Sequence, residues 1–155
     1  MSNFEYCPIV WHFCGKGNND KMENIQKRAL KIVFSDFDAE YEDLLQKFGT
    51  TTVFQRRINR IVTEVYKIIN NISPSYLNSL FEIKKTPYGL KDPLRIEQPR
   101  KKKTTFGLRS INYVGSKLWN ELPLHIKKSS DVVEFKRALK DWSGVNLNTC
   151  ESFFI

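Results

Sequence analysis

Apolar and polar positions recur at helical spacing over most of this chain, and each run closes on a residue suited to stopping it. From Asp20, a side chain fit for a cap, Met22, Ile25, Ala29, Ile32 and Val33 repeat with that period, while Lys21, Lys27, Arg28 and Lys31 fall mainly on other faces. The pattern predicts a basic-backed amphipathic helix with those five residues inward. A short helix follows from about Glu40 to Phe48, with Leu44, Leu45 and Phe48 inward and Gly49 as a left-handed cap. The third helix is the longest. Thr52 caps it, it runs to about Asn71, and Ile58, Ile61, Val62, Val65, Ile68 and Ile69 form its stripe.

Ser73 and Pro74 read as a cap and a first helical position, opening a turn of helix through Tyr76, Leu77, Leu80 and Phe81. The period then changes. Residues 82–107 carry Pro87, Gly89, Pro93, Pro99 and Gly107, and Leu94 and Ile96 alternate with Arg95 and Glu97, which predicts extended chain or a small hairpin. Helix resumes from Ser110 to Leu122, with Ile111, Val114, Leu118 and Trp119 inward and Pro123 as the stop. A last helix begins at Ser130 or Asp131, buries Val132, Phe135, Ala138, Leu139 and Trp142, and ends at Gly144. The expected fold is mainly α: a small bundle of five to six helices with a short extended or β-hairpin insertion near residues 90–107. One domain is expected over 1–144, with the basic extended segment 82–107 inside it and a tail over 145–155.

At 155 residues and 41% hydrophobic composition, the chain is long enough to bury a core without disulfides or a structural metal. Its formal charge of +8 favours polyanions, because cations that neutralise phosphates release counterions whatever the base sequence. The charge is concentrated. Lys91, Arg95, Arg100, Lys101, Lys102, Lys103, Arg109 and Lys117 face only Asp92 and Glu97 over residues 91–117, a net +6 of the chain's +8. Such a segment can follow a phosphate backbone, with Tyr88, Phe106 or Tyr113 to stack on a base or sugar. The candidate nucleic-acid contacts are Arg100, Lys101, Lys102, Lys103, Arg109, Arg95 and Lys117, joined by Arg56, Arg57 and Arg60 at the start of the third helix. Those three arginines oppose the helix dipole, so they read either as partner contacts or as solvated charge. The run 100–103 also reads as a solvated loop or a nuclear-localisation signal.

The catalytic inventory is thin. His12 and His125 have no nucleophile and orienting acid beside them in sequence, and Gly15-Lys16-Gly17 lacks the spacing of a phosphate loop. Cys7, His12, Cys14 and Cys150 are zinc-ligand types without a C-x-x-C pair, so the expectation is reduced thiols and no metal. Asp36, Asp38, Glu40, Glu42 and Asp43 straddle a predicted helix start, where acids are welcome without a metal. No cofactor and no catalytic residue is expected. No run approaches the roughly 20 apolar residues of a membrane span and no leader is evident, so a nuclear or cytoplasmic location and no membrane partner are expected. The aromatic-rich segment 4–13, ending at the turn-prone residues 15–19, offers Val10, Trp11 and Phe13 as an apolar surface for a protein partner.

Several runs taken in order point further: SNFEYCPIVWHFCGK at 2–16, IQKRALKIVF at 25–34, YEDLLQKFGTTT at 41–52, VYKIINNISPSYLNSLF at 65–81, PYGLK at 87–91, SINYVGSKLWNELPLHIK at 110–127 and EFKRALKDW at 134–142. Together they resemble the C-terminal region of reverse transcriptases from LINE-type, non-LTR retrotransposons, over nearly the whole chain. In such enzymes the part after the palm forms a helical thumb and C-terminal extension that grip primer and template. The resemblance implies polymerase ancestry and a grip on RNA, DNA or their hybrid, with a separate polymerase half or another protein as a further partner. It does not imply polymerase activity, because the family's catalytic aspartates would lie upstream of these motifs and Phe34-Ser35-Asp36-Phe37-Asp38 does not replace them. The alternative is an interaction module or an inert transposon-derived remnant.

Overall fold

The computed structural model describes residues 16–84, 92–100 and 110–142. Among them the chain is mainly helical: α1 Lys16–Phe34, α2 Tyr41–Phe48, α3 Val53–Ile69, a 3₁₀ helix Ser75–Leu80, α4 Ile111–Glu121, the single turn α5 Leu124–Lys127, and α6 Val132–Asp141. No helix among the described residues is long and apolar enough to cross a membrane. The chain divides into two compact units, with the boundary inside α3 between Ile58 and Asn59.

In the first unit, α1 begins at Lys16, before the expected cap at Asp20, and the turn expected over residues 15–19 is helical from 16 onward. Asn19 is the reason this turn holds. It is buried and accepts a 2.6 Å hydrogen bond from Arg57 Nη2. The face that α1 turns inward carries Asn19, Glu23, Gln26, Leu30 and Phe34, whereas Ile25, Ala29, Ile32 and Val33 are exposed. Met22 is half-buried, but the rest of the expected inward face is the outward one, because polar side chains with specific partners set the rotation of the helix. Leu30, Leu44 and Leu45 form the small apolar core, with Phe34, Ala39 and Tyr41 packed on it.

α2 starts after Glu40 and ends at Gly49, whose φ of 66° lies in the left-handed region. Gly49 N–H donates to Gln46 O and Thr50 N–H to Leu45 O, both at 3.0 Å, the paired bonds that satisfy orphan carbonyls at a helix end. Phe48, expected inward, is exposed and meets Phe34 only edge-on at 6.4 Å. Its position beside the glycine cap carries it off the buried face.

Glu23 closes the first unit. Its carboxylate accepts from Phe54 N–H at 2.8 Å, Val53 N–H at 3.3 Å and Tyr41 O–H at 2.7 Å. It therefore caps α3 from another helix, while Thr52 Oγ1 accepts from Gln55 N–H at 3.1 Å as expected. A carboxylate at this end also offsets the arginines that oppose the dipole of α3. Burial beside Glu23 raises the Tyr41 phenol well above its ordinary pKa, first through desolvation and then through the hydrogen bond to the carboxylate.

The second unit is built on apolar area. Ile61, Val62, Val65, Tyr66 and Ile68 of α3 are buried, as are Val114, Leu118 and Trp119 of α4 and Phe135 and Leu139 of α6. Phe135 stacks on Tyr66 at 4.2 Å and on Trp119 at 6.2 Å. Gly115 permits the close approach of α4, since a Cβ there would stand 2.9 Å from both the Phe81 ring and Val65 Cγ2. The turn after Pro74 is 3₁₀ rather than α, with Pro74 itself at the cap position and no side-chain bond from the expected cap. Ser110 caps α4 and Asp131 caps α6, and α6 ends at Asp141, before the expected stop at Gly144, which lies outside the described residues.

Candidate nucleic-acid interface

The alternation of Leu94 and Ile96 with Arg95 and Glu97 is realised as an extended segment in the second unit. Ile96 is buried and pairs with Ile83 in an antiparallel bridge, flanked by Lys84 N–H to Arg95 O at 2.9 Å and Glu97 N–H to Glu82 O at 2.8 Å. The other edge of the segment is taken by a side chain. Asn120 Oδ1 accepts from Ile96 N–H at 2.9 Å and Asn120 Nδ2 donates to Ile96 O at 3.0 Å, as a neighbouring strand would. Trp119 Nε1 adds a 2.7 Å bond to Leu94 O.

A charge pair fixes the start of the segment. Lys127, only 3% exposed, donates to Asp92 and lies 5.8 Å from the centre of the Trp119 ring. An ammonium this enclosed is tolerable only with a carboxylate in hydrogen-bond contact, and the aromatic face adds a further attraction. Residues 92–97 are thus held at both edges and at their start. Arg95 and Arg100 are exposed, and the polypeptide leads from Arg100 into Lys101, Lys102 and Lys103.

The remaining expected contacts divide by location. Lys101, Lys102, Lys103 and Arg109, and the stacking candidates Tyr88 and Phe106, lie outside the described residues. Lys117 and Tyr113 are half-buried on α4. Arg56 and Arg57 belong to the first unit. Arg56 donates to Thr50 Oγ1 at 2.8 Å and Gln26 Oε1 at 2.7 Å. Arg57 is 2% exposed, bonded to Asn19 and 5.8 Å from the Phe54 ring centre. Neither the solvated nor the partner-contacting reading describes a guanidinium so enclosed, and Arg57 is a framework residue. Arg60, in the second unit, is half-buried.

Other cations of the second unit were not anticipated as contacts. Lys128, Lys136, Arg137 and Lys140 are all exposed, the last three on one face of α6. Their helical spacing is visible in the sequence, but the denser charge over residues 91–117 outweighs it there. Lys127, by contrast, reads in sequence like any surface lysine, and nothing local marks it as the partner of Asp92.

Acidic residues also occur in both units, two of them on the paired extended chain itself. A half-open groove of about 610 Å³ in the second unit is lined by Ile68, Ile69, Phe81 and Ile83 together with Glu82 and Glu97, whose carboxylates repel phosphate. In the first unit, Asp36 accepts from Lys47 Nζ at 3.1 Å and from Ala39 N–H at 3.2 Å, and the lysine holds its carboxyl below the ordinary value. Glu42 and Asp43 occupy the first turn of α2, where the dipole favours them. The groups named in sequence as zinc-ligand types, Cys7, His12, Cys14 and Cys150, lie outside the described residues, as do Val10, Trp11 and Phe13. Comparison with known proteins leaves the geometry to speak for itself: no protein-family model, no curated protein and no solved structure matches the chain.

Proposed function

We propose that this chain is a non-catalytic nucleic-acid-binding domain that grips a primer–template duplex through its phosphates, as the thumb region of a non-LTR retrotransposon reverse transcriptase does. The observation that carries the reading is the mounted segment 92–100. Its backbone is occupied on both edges around Ile96, so the exposed Arg95 side chain is presented without the entropy cost of ordering a free loop. Arg95 and Arg100 lead the chain into a run of three lysines, in a molecule whose net charge is +8. Phosphate contacts of this kind position a duplex and carry little base information, so binding is broad across sequences.

The test is a titration of the purified chain against fluorescent RNA–DNA hybrid by anisotropy, at low and near-physiological salt. Affinity falls by about 0.7 to 0.9 log units per log unit of salt for each phosphate contacted. Replacing Lys101, Lys102 and Lys103 by alanine weakens binding across all sequences and flattens that slope. A folded chain that shows no binding at low salt makes the basic segment a solvated surface and ends this reading.

A further inference from the structure

Among the described residues, the first unit leaves an apolar face of α1 exposed. α1 turns Asn19, Glu23, Gln26 and Leu30 inward and leaves Ile25, Ile32 and Val33 at 49%, 67% and 66% exposure. Ala29, also exposed, sits between Ile25 and Val33 on one i, i+4 row, with Ile32 beside it. Two aliphatic knobs thus flank a small notch, the relief into which the ridge of another helix inserts. Lys21 and Arg28 stand on the same face, each one turn before an exposed isoleucine, and both are exposed. No acid of α1 lies on that face.

Each alternative occupant meets an obstacle on this surface. A second copy would bring Lys21 and Arg28 against their own equivalents in a chain of charge +8. A phosphate backbone gains nothing from three aliphatics in the centre of its contact. A bilayer surface has no use for a notch. Exposed cations at the head of an apolar face favour a helix that brings carboxylates to them, since complementary charge sets the choice of partner.

We infer that this face docks an acidic amphipathic α-helix of another protein. Its leucine or isoleucine side chains fill the row around Ala29, and its carboxylates meet Lys21 and Arg28. Burial of the aliphatics supplies affinity, and the charges supply the choice of partner. Its residues belong to the first unit, and Arg95 and Arg100 of the proposed phosphate contacts belong to the second.

The full chain is titrated with a fluorescein-labelled three-heptad helical peptide carrying Leu at the core positions and Glu at the flanking ones, and with its Lys-flanked counterpart. The Glu peptide binds at least about tenfold tighter than the Lys peptide. The double variant Ile25→Ser/Ile32→Ser loses about tenfold or more of that affinity while its melting temperature and its binding of hybrid duplex stay unchanged, since both side chains are exposed. Equal binding of the two peptides, no binding of the Glu peptide, or an affinity untouched by the double variant overturns the inference. A dimer seen in sedimentation and lost in the double variant overturns it in favour of a second copy. Retention on phosphatidylserine-containing vesicles, lost in the double variant and without peptide binding, overturns it in favour of lipid.

Discussion

The two units hold their helices by different physics. In the first, α1 is docked by Asn19, Glu23 and Gln26, each matched to one to three named partners, and among the described residues a small leucine cluster adds apolar area. In the second, α4 and α6 are docked by Trp119, Phe135 and Leu139 against a stripe of α3, and polar bonds trim the edges. Apolar docking scales with area and tolerates small displacements. Polar docking is directional, so it fixes the rotation of a helix even when that leaves isoleucines facing outward.

The largest expected effect comes from the apolar side of the comparison. Phe135→Ala removes the ring stacked between Tyr66 and Trp119 and should destabilise the second unit by about 3 to 5 kcal/mol in denaturant unfolding. A loss below about 1 kcal/mol would mean that the unit recollapses and that stacked area is not what holds α6.

Next in size is the charge pair at the start of the mounted segment. Asp92→Asn leaves the Lys127 ammonium enclosed without its counter-charge and should cost about 3 kcal/mol, somewhat less if the half-buried carboxylate position admits water. Adding Lys127→Met to it should restore much of the loss, since an apolar side chain on the Trp119 face needs no partner. If the double variant is as unstable as the single one, the ion pair is specifying the path of the segment and not merely satisfying a buried charge.

The polar side of the comparison predicts a smaller loss with a different signature. Glu23→Ala strips the cap of α3 and leaves the Phe54 N–H and the Tyr41 hydroxyl without this acceptor, at about 1 to 2 kcal/mol. Amide exchange should accelerate in α1 and the first turn of α3 and remain slow in α4 and α6. Uniform acceleration along the chain would show that the two units unfold together and would remove the contrast between them.

These two kinds of docking also explain what the sequence reveals. The stripe of α3, the cap at Thr52, the stop at Gly49 and the inward faces of α4 and α6 follow from periodicity and cap chemistry, because local pattern and tertiary packing agree there. α1 misleads because its stripe of Ile25, Ile32 and Val33 is a better apolar pattern than its true inward face, and no local rule announces that Asn19 will meet Arg57. The extended segment is legible as alternation at Leu94 and Ile96. Its clamp is not, since Asn120 and Lys127 act on residues 24 and 35 positions away. Arg57 shows the same limit from the other side: three neighbouring arginines look alike in sequence, and only packing separates the enclosed one.

The smallest effect is an acid titration that reads the two units separately. Asp36 in the first unit is held below its ordinary 3.8 chiefly by the hydrogen bond from Lys47. Glu134 in the second is held below its ordinary 4.5 by the hydroxyl and backbone N–H of Ser130, which donate to it at 2.8 and 2.9 Å. A carboxyl lowered by folding contributes stability that is present above its ordinary pKa and disappears as pH falls through the lowered one. Both contributions should therefore decline as pH falls below about 4 and be lost once it passes the lowered values. Because both groups are surface-exposed, the change is slight and best followed by amide exchange across that range. Asp36→Asn should flatten the acid response around α2 alone, and Glu134→Gln the response at the start of α6 alone. A single shared response that both substitutions alter equally would mean that these surface carboxyls report one cooperative fold, and the division between Ile58 and Asn59 would then have no energetic counterpart.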